Sequence, residues 1–184
     1  MFDPAELPPA TLASLLEAGS WVLVEDQKGV LVRTTSGILV DAPPADVRAL
    51  LEDYAGYKTW MPQLTRSDVV ATKGTSADVA FTLSFRFSVF SKSLDYTLRY
   101  KAKGDTRIEW ERIGGDFEES HGAWTSIPLD RGKRTAVFYS FYVDISGVGT
   151  MVKMALKASP QMEVAISTST AILVARALKT RAEK

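Results

Sequence analysis

The chain has 184 residues, a size at which one domain with a substantial core is expected. Its 22 basic residues balance 22 acidic ones and no block of like charge stands out, which removes the usual electrostatic basis for binding nucleic acid or an anionic membrane surface. There is no cysteine, so disulfides, thiolate nucleophiles and cysteine metal sites are excluded together.

The opening stretch "MFDPAELPPATLASLL" has an acidic residue and prolines where an export signal would carry a basic segment and then an apolar run. Nowhere do about 18 consecutive apolar residues occur, so no membrane span is expected and the protein reads as cytoplasmic. Thr11 is expected to cap a short helix running to Glu17, with Leu12, Leu15 and Leu16 on one side and Gly19 at its stop. Residues 1–19 are thus read as an N-terminal helical extension, and residues 20–184 as a single domain.

"WVLVEDQKGVLVRTTSGILVDAP" reads as two strands about a turn near Gln27, Lys28 and Gly29, the second ending before Pro43 and Pro44. In "PPADVRALLEDYAGYKTWMP" the spacing of Val47, Leu50, Leu51 and Tyr54 predicts a proline-led helix. A second short helix is expected to carry Tyr57, Trp60 and Met61 up to Pro62. The period then changes to two, predicting strands near 65–73, 77–90, 92–103, 106–113, 121–129 and 133–144, joined as an antiparallel meander. In the longest of these, "VAFTLSFRFSVF", the odd positions from Val79 to Val89 are all apolar, so one face points inward.

The chain ends in helix. Met151, Met154, Ala155, Ala158, Met162, Ala165, Ile166, Ser169, Ile172, Leu173 and Arg176 fall on one stripe at three- and four-residue spacing, expected to face the sheet. Pro160 either kinks this helix or restarts it, with Ser159 as a cap.

This order resembles the helix-grip fold of the START-like, or SRPBCC, superfamily, and in particular its polyketide cyclase/dehydrase and coenzyme Q-binding branch. The resemblance sits in "VDAPPADVRALLEDYAGYKTWMPQLTRSDVV" and, less strongly, in "GGDFEESHGAWTSIPL". It implies an α+β fold in which a curved antiparallel β-sheet wraps around a long C-terminal helix, with two short helices after the first strand region and an apolar cavity between sheet and helix.

The walls of such a cavity are expected from Phe81, Leu83, Phe85 and Phe87 on one strand, then Leu94, Tyr96, Leu98 and Tyr100, then Ile108 and Trp110. Met154, Met162 and Ile166 would contribute from the helix, methionine adapting to irregular apolar shapes. Each of the strand residues reads first as plain core and second as ligand contact, since a buried large apolar side chain contributes about 1.5–3 kcal/mol with or without a ligand. The strand at 135–145 is apolar on both parities, which leaves the direction of Tyr139 and Tyr142 open. Arg112 shares the parity of Ile108 and Trp110, whereas Glu109 and Glu111 point outward, where Arg99 and Arg107 would pair with them across strands.

Catalytic candidates are few: Arg112, Tyr96 and His121, the single histidine, which is expected in a surface turn. No metal site, cofactor motif, phosphate loop or nucleophile elbow is present in the sequence. The reading is a protein that binds a hydrophobic small molecule, a lipid, quinone or polyketide-like ring, without cofactor or nucleic acid. The alternatives are a polyketide cyclase or dehydratase and a protein-interaction scaffold with a packed interior.

Overall fold

Alternation at period two carries through eight strands, which pair into one sheet that is antiparallel throughout. The computed structural model describes residues 2–87 and 90–184, with the side chains of residues 86, 87, 90, 91, 151 and 155 outside that description. The strands are β1 (Trp21–Gln27), β2 (Val30–Val40), β3 (Leu64–Lys73), β4 (Ser76–Phe87), β5 (Phe90–Lys103), β6 (Arg107–Gly115), β7 (Glu119–Leu129) and β8 (Arg134–Asp144). Their order in space is β1-β2-β8-β7-β6-β5-β4-β3, so β3 to β8 form the expected meander and β2 returns beside β8. Between β1 and β2, Lys28 and Gly29 both take positive φ, as a two-residue hairpin of matching twist requires.

Helix α1 (Pro9–Glu17) precedes the sheet and α2 (Pro44–Glu52) follows β2. Pro43 and Pro44 start α2, which buries Val47 and Leu51. The expected second helix is instead a 3-10 turn, Tyr54–Thr59, closed by i→i+3 bonds such as Gly56 N–H to the Asp53 carbonyl at 3.0 Å, with the Asp53 carboxylate also accepting from that N–H at 3.1 Å. It holds Tyr57 fully buried, its hydroxyl donating to the Leu51 carbonyl at 2.6 Å.

The C-terminal helix restarts at the proline: α3 (Thr150–Ala158) ends, and α4 (Gln161–Ala182) begins after Pro160. Ser159 does not cap α4 through its side chain; its hydroxyl meets the Gln161 side chain at 3.3 Å. The buried stripe of α4 is Ser167, Ala171, Val174, Ala175 and Leu178, rotated from the one expected from the spacing, of which Ile166 and Leu173 still face the space between helix and sheet. Ala165, Ser169 and Arg176 are exposed, and Leu173 is 53% exposed. Several apolar stripes fit this sequence, and contact distance selects among them. Ser36 Oγ on β2 donates to the Ala171 carbonyl at 3.0 Å, so the side with small residues is the one that approaches the sheet.

Around β2, β7 and β8 both faces of the sheet are covered. On the inner face, Ile38, Val40, Val137 and Phe141 pack with α2 and α4; on the outer face, Leu39, Leu129, Ala136 and Phe138 pack with Leu12 and Leu16 of α1. This is why β8 is apolar on both parities: its alternate residues enter different cores. Gly37 is where β1 and β8 side chains converge, since a Cβ there would lie 2.9 Å from both Phe138 and Trp21. Of the expected cross-strand charge pairs, Arg99 stands opposite Glu111, but Asp78 takes its guanidinium through two bonds of 2.7 and 2.8 Å. Arg107 pairs with Glu109 of its own strand at 2.9 Å.

Candidate functional site

Between the inner face of the sheet and the helices α3 and α4 lies a cavity of about 350 Å³. Odd-numbered residues of β4, Phe81, Leu83 and Phe85, form one wall, continued by Leu94, Tyr96, Leu98 and Tyr100 of β5 and Trp110 of β6. Strand β8 adds Tyr139, Phe141 and Val143, while Val148, Val152, Ile166, Thr170, Leu173 and Val174 close the helical side. Of the expected ligand contacts, Phe81, Leu83, Phe85, Tyr96, Leu98, Tyr100, Trp110 and Ile166 line this space, and the side chain of Phe87 lies outside the described residues.

Met154 and Met162 do not line it. Met154, 65% exposed, is two residues from the lining Val152 and so on the opposite side of α3, whereas Met162, 42% exposed, shares the side of Ile166 and Leu173 but lies a turn ahead of them, beyond the lining. Ile108 is buried but fills core rather than cavity. Residues not anticipated include Phe117, which follows the Gly114-Gly115 step and packs its ring 4.9 Å from Tyr96, and Ser120 and Thr170. Periodicity could have found Ser120, which shares the parity of Trp124 on β7.

The rings are held against one another. Phe81 stacks on Tyr96 at 5.3 Å, Trp110 on Tyr139 at 5.5 Å and Tyr139 on Phe141 at 4.8 Å, while Trp124 and Tyr139 lie 4.4 Å apart. Such contacts add to burial and fix ring orientation, so these walls are set before anything occupies the space.

Among the described residues the lining holds no Asp, Glu, Lys, Arg or His. Its titratable groups are Tyr96, Tyr100 and Tyr139, and burial pushes each hydroxyl well above its ordinary value of 10, reinforced at Tyr100 by the neighbouring tyrosines. They therefore stay protonated at neutral pH and offer hydrogen bonds without charge.

The three catalytic candidates are not brought together. Tyr96 is in the cavity. His121 lies in strand β7 rather than a turn, faces outward at half exposure, sits 3.1 Å from Glu119 and packs near Tyr142. Tyr142 thus points out and Tyr139 in. Arg112 Nη2 donates to the Gly115 carbonyl at 2.8 Å, outside the cavity lining. Among the described residues no group of three potential ligands is placed to hold a metal ion, and no helix is long and apolar enough to cross a membrane.

An antiparallel sheet curved around a long C-terminal helix, with an uncharged aromatic cavity between them, is the architecture of a helix-grip, START-like protein. The fold is α+β. The chain belongs to the family described as polyketide cyclase / dehydrase and lipid transport, whose model matches residues 40–164. Among solved structures it is similar to the Zhui aromatase/cyclase from Streptomyces sp. R1128, at 16% identity and a TM-score of 0.67, covering 83% of this chain and 93% of that one. It is also similar to a STAR-related lipid transfer protein from Xanthomonas axonopodis, at 18% identity and a TM-score of 0.65, with coverage of 90% and 94%. A START superfamily protein from Mycobacterium smegmatis matches at 16% identity and a TM-score of 0.59, with coverage of 82% and 97%. At these identities the likeness is one of fold. No curated protein matches the chain in sequence.

Proposed function

We propose that this protein binds a hydrophobic, largely uncharged small molecule, a lipid, quinone or polyketide-like ring, in the cavity between the sheet and α3 and α4. The observation that carries this reading is a space of about 350 Å³ walled by aromatic and aliphatic side chains and free of charge among the described residues. That volume is in the range of ligand pockets, and a ligand's apolar surface gains about 25 cal/mol per Å² removed from water. Interlocked rings leave little wall entropy to lose on binding, and tyrosine hydroxyls supply orientation.

A cyclase or dehydratase is best served by a group beside the ligand whose pKa lies near the working pH. The described lining offers buried tyrosines in that place, which favours binding over turnover. Residues 1–19 act in this reading as a cover for the outer face, and residues 20–184 as the ligand-binding domain.

Native mass spectrometry of the protein purified from its host, followed by extraction of anything released on denaturation, tests the proposal. A stoichiometric apolar molecule is the expected result. An empty protein that also leaves N-phenylnaphthylamine fluorescence unchanged would overturn it and favour the packed scaffold.

A further inference from the structure

The β6–β7 ladder stops early. Its last pair is Glu111 with His121, although β6 continues beside β5 to Gly115 and β7 continues beside β8 to Glu119. The sheet therefore forks beyond Glu111, and two inward positions face the gap. Arg112 is opposite Leu98, and Ser120 is opposite Val143; both of those partners line the cavity. Directly opposed residues share a face, so the Arg112 side chain leaves β6 on the cavity side.

A second hollow of about 370 Å³ lies at the fork, lined by Glu111, Arg112, Glu118, Glu119, Ser120 and His121. Ser120 belongs to both hollows, so it is the wall between them. The Arg112 guanidinium spends Nη2 on the Gly115 carbonyl, yet its Nε is buried and has no hydrogen-bond partner. A buried donor left unpaired costs free energy that an acceptor placed there would recover, and hydrogen bonds to charged groups are among the stronger ones.

From this we infer that the fork is a polar subsite, reached past Ser120, in which Arg112 Nε donates to an oxygen acceptor on one end of the cavity ligand. Its chemical class follows from the surrounding charge. Three carboxylates line the same hollow against one guanidinium, so a carboxylate or phosphate end meets net repulsion, whereas a neutral carbonyl does not. The ligand is accordingly an apolar, ring-bearing or chain molecule with a terminal neutral carbonyl. This inference rests on the cavity-binding reading above.

Two neutral dyes separate the two readings: Prodan, a naphthalene ketone whose emission shifts to the red when its carbonyl accepts a hydrogen bond, and N-phenylnaphthylamine, which has no carbonyl. Both are titrated into the wild-type protein and Arg112→Met, with circular dichroism as the fold control. The variant is expected to bind Prodan about tenfold more weakly and with bluer emission, and to bind N-phenylnaphthylamine as the wild type does. Prodan affinity and emission unchanged in Arg112→Met would overturn the subsite while leaving the cavity standing. If neither dye binds the wild type, the cavity reading fails and the subsite with it. Should Arg112→Met not fold, the infrared carbonyl stretch of Prodan bound to the wild-type protein takes its place: a stretch lowered from its value in hexane supports the inference, and one equal to it, with nothing donating to the carbonyl, overturns the inference equally.

Discussion

Gly122 and Trp110 are directly paired across β6 and β7, and the indole lies over the glycine where a side chain would otherwise stand. A Cβ at position 122 would come within 2.3 Å of the Trp110 ring and 2.4 Å of the Ser140 carbonyl oxygen. The absent side chain is what lets the indole reach across β7 to stack on Tyr139 at 5.5 Å. Gly122→Ala must displace a packed indole or strand backbone, and overpacking of this kind costs about 1–3 kcal/mol. Thermal unfolding should show a lowered midpoint, together with a changed tryptophan emission spectrum. An unchanged midpoint would mean that the ring has room to turn aside.

Cavity occupancy can be separated from stability at Thr170, which lines the cavity from α4. Thr170→Phe adds a ring into open space rather than into packed atoms, so it is expected to lower N-phenylnaphthylamine affinity at least tenfold while leaving the unfolding midpoint near that of the wild type. Met154→Ser is the matching control. The side chain is 65% exposed, so the substitution should change neither quantity. Equal losses of dye binding in both variants would return Met154 to the cavity wall.

The buried tyrosines make alkaline stability a readout of the cavity. Tyr57, Tyr96, Tyr100 and Tyr139 all have hydroxyls raised above 10 by burial. In the unfolded chain they ionise near 10, so below that pH their contribution to stability is fully present. As pH rises from there toward the folded values, the unfolded state loses protons that the folded state keeps, and stability falls. Tyrosinate absorbance should therefore appear for these residues only together with loss of the folded circular dichroism signal. Free ionisation near pH 10 in the folded protein would show that the cavity is open to water.

Most of the fold was legible because strand alternation is a short-range signal. The inward residues of β4 and β5 follow from parity, and parity survives every bend of the sheet. Parity was insufficient on β8, where Phe138 is fully buried on one face and Tyr139 lines the cavity on the other: the partner that buries Phe138 is α1, far away in sequence. The phase of α4 was not legible either. Its apolar residues surround much of the helix, and the choice of face was made by the close approach of Ala171 to Ser36 on β2, a contact separated by 135 residues. The fork at Arg112 depends on where a hydrogen-bond ladder ends, which no residue pattern in the sequence marks.

The N-terminal helix closes the outer core, and this gives a final prediction. Leu12 is fully buried against a face formed by Leu39, Leu129, Ala136 and Phe138, and the chain ahead of it is tied down where Arg33 donates to the Phe2 carbonyl at 2.7 Å and Glu25 accepts from the Phe2 N–H at 2.8 Å. Burial raises the Glu25 carboxyl, but its bonds to Arg33 and Phe2 outweigh this and hold it below the ordinary value of 4.5. That clamp is therefore present above the unfolded pKa and weakens as pH falls through the folded one. Leu12→Ala is expected to cost about 2–5 kcal/mol, as for other buried leucines. Deleting residues 1–19 should go further, uncovering a contiguous apolar face on a sheet whose inner face is still covered. Size-exclusion chromatography would then show self-association, while N-phenylnaphthylamine binding, which depends on the opposite face, is retained by the folded fraction. A truncated chain that stays monomeric and unfolds at the wild-type midpoint would show that α1 contributes nothing to the outer core.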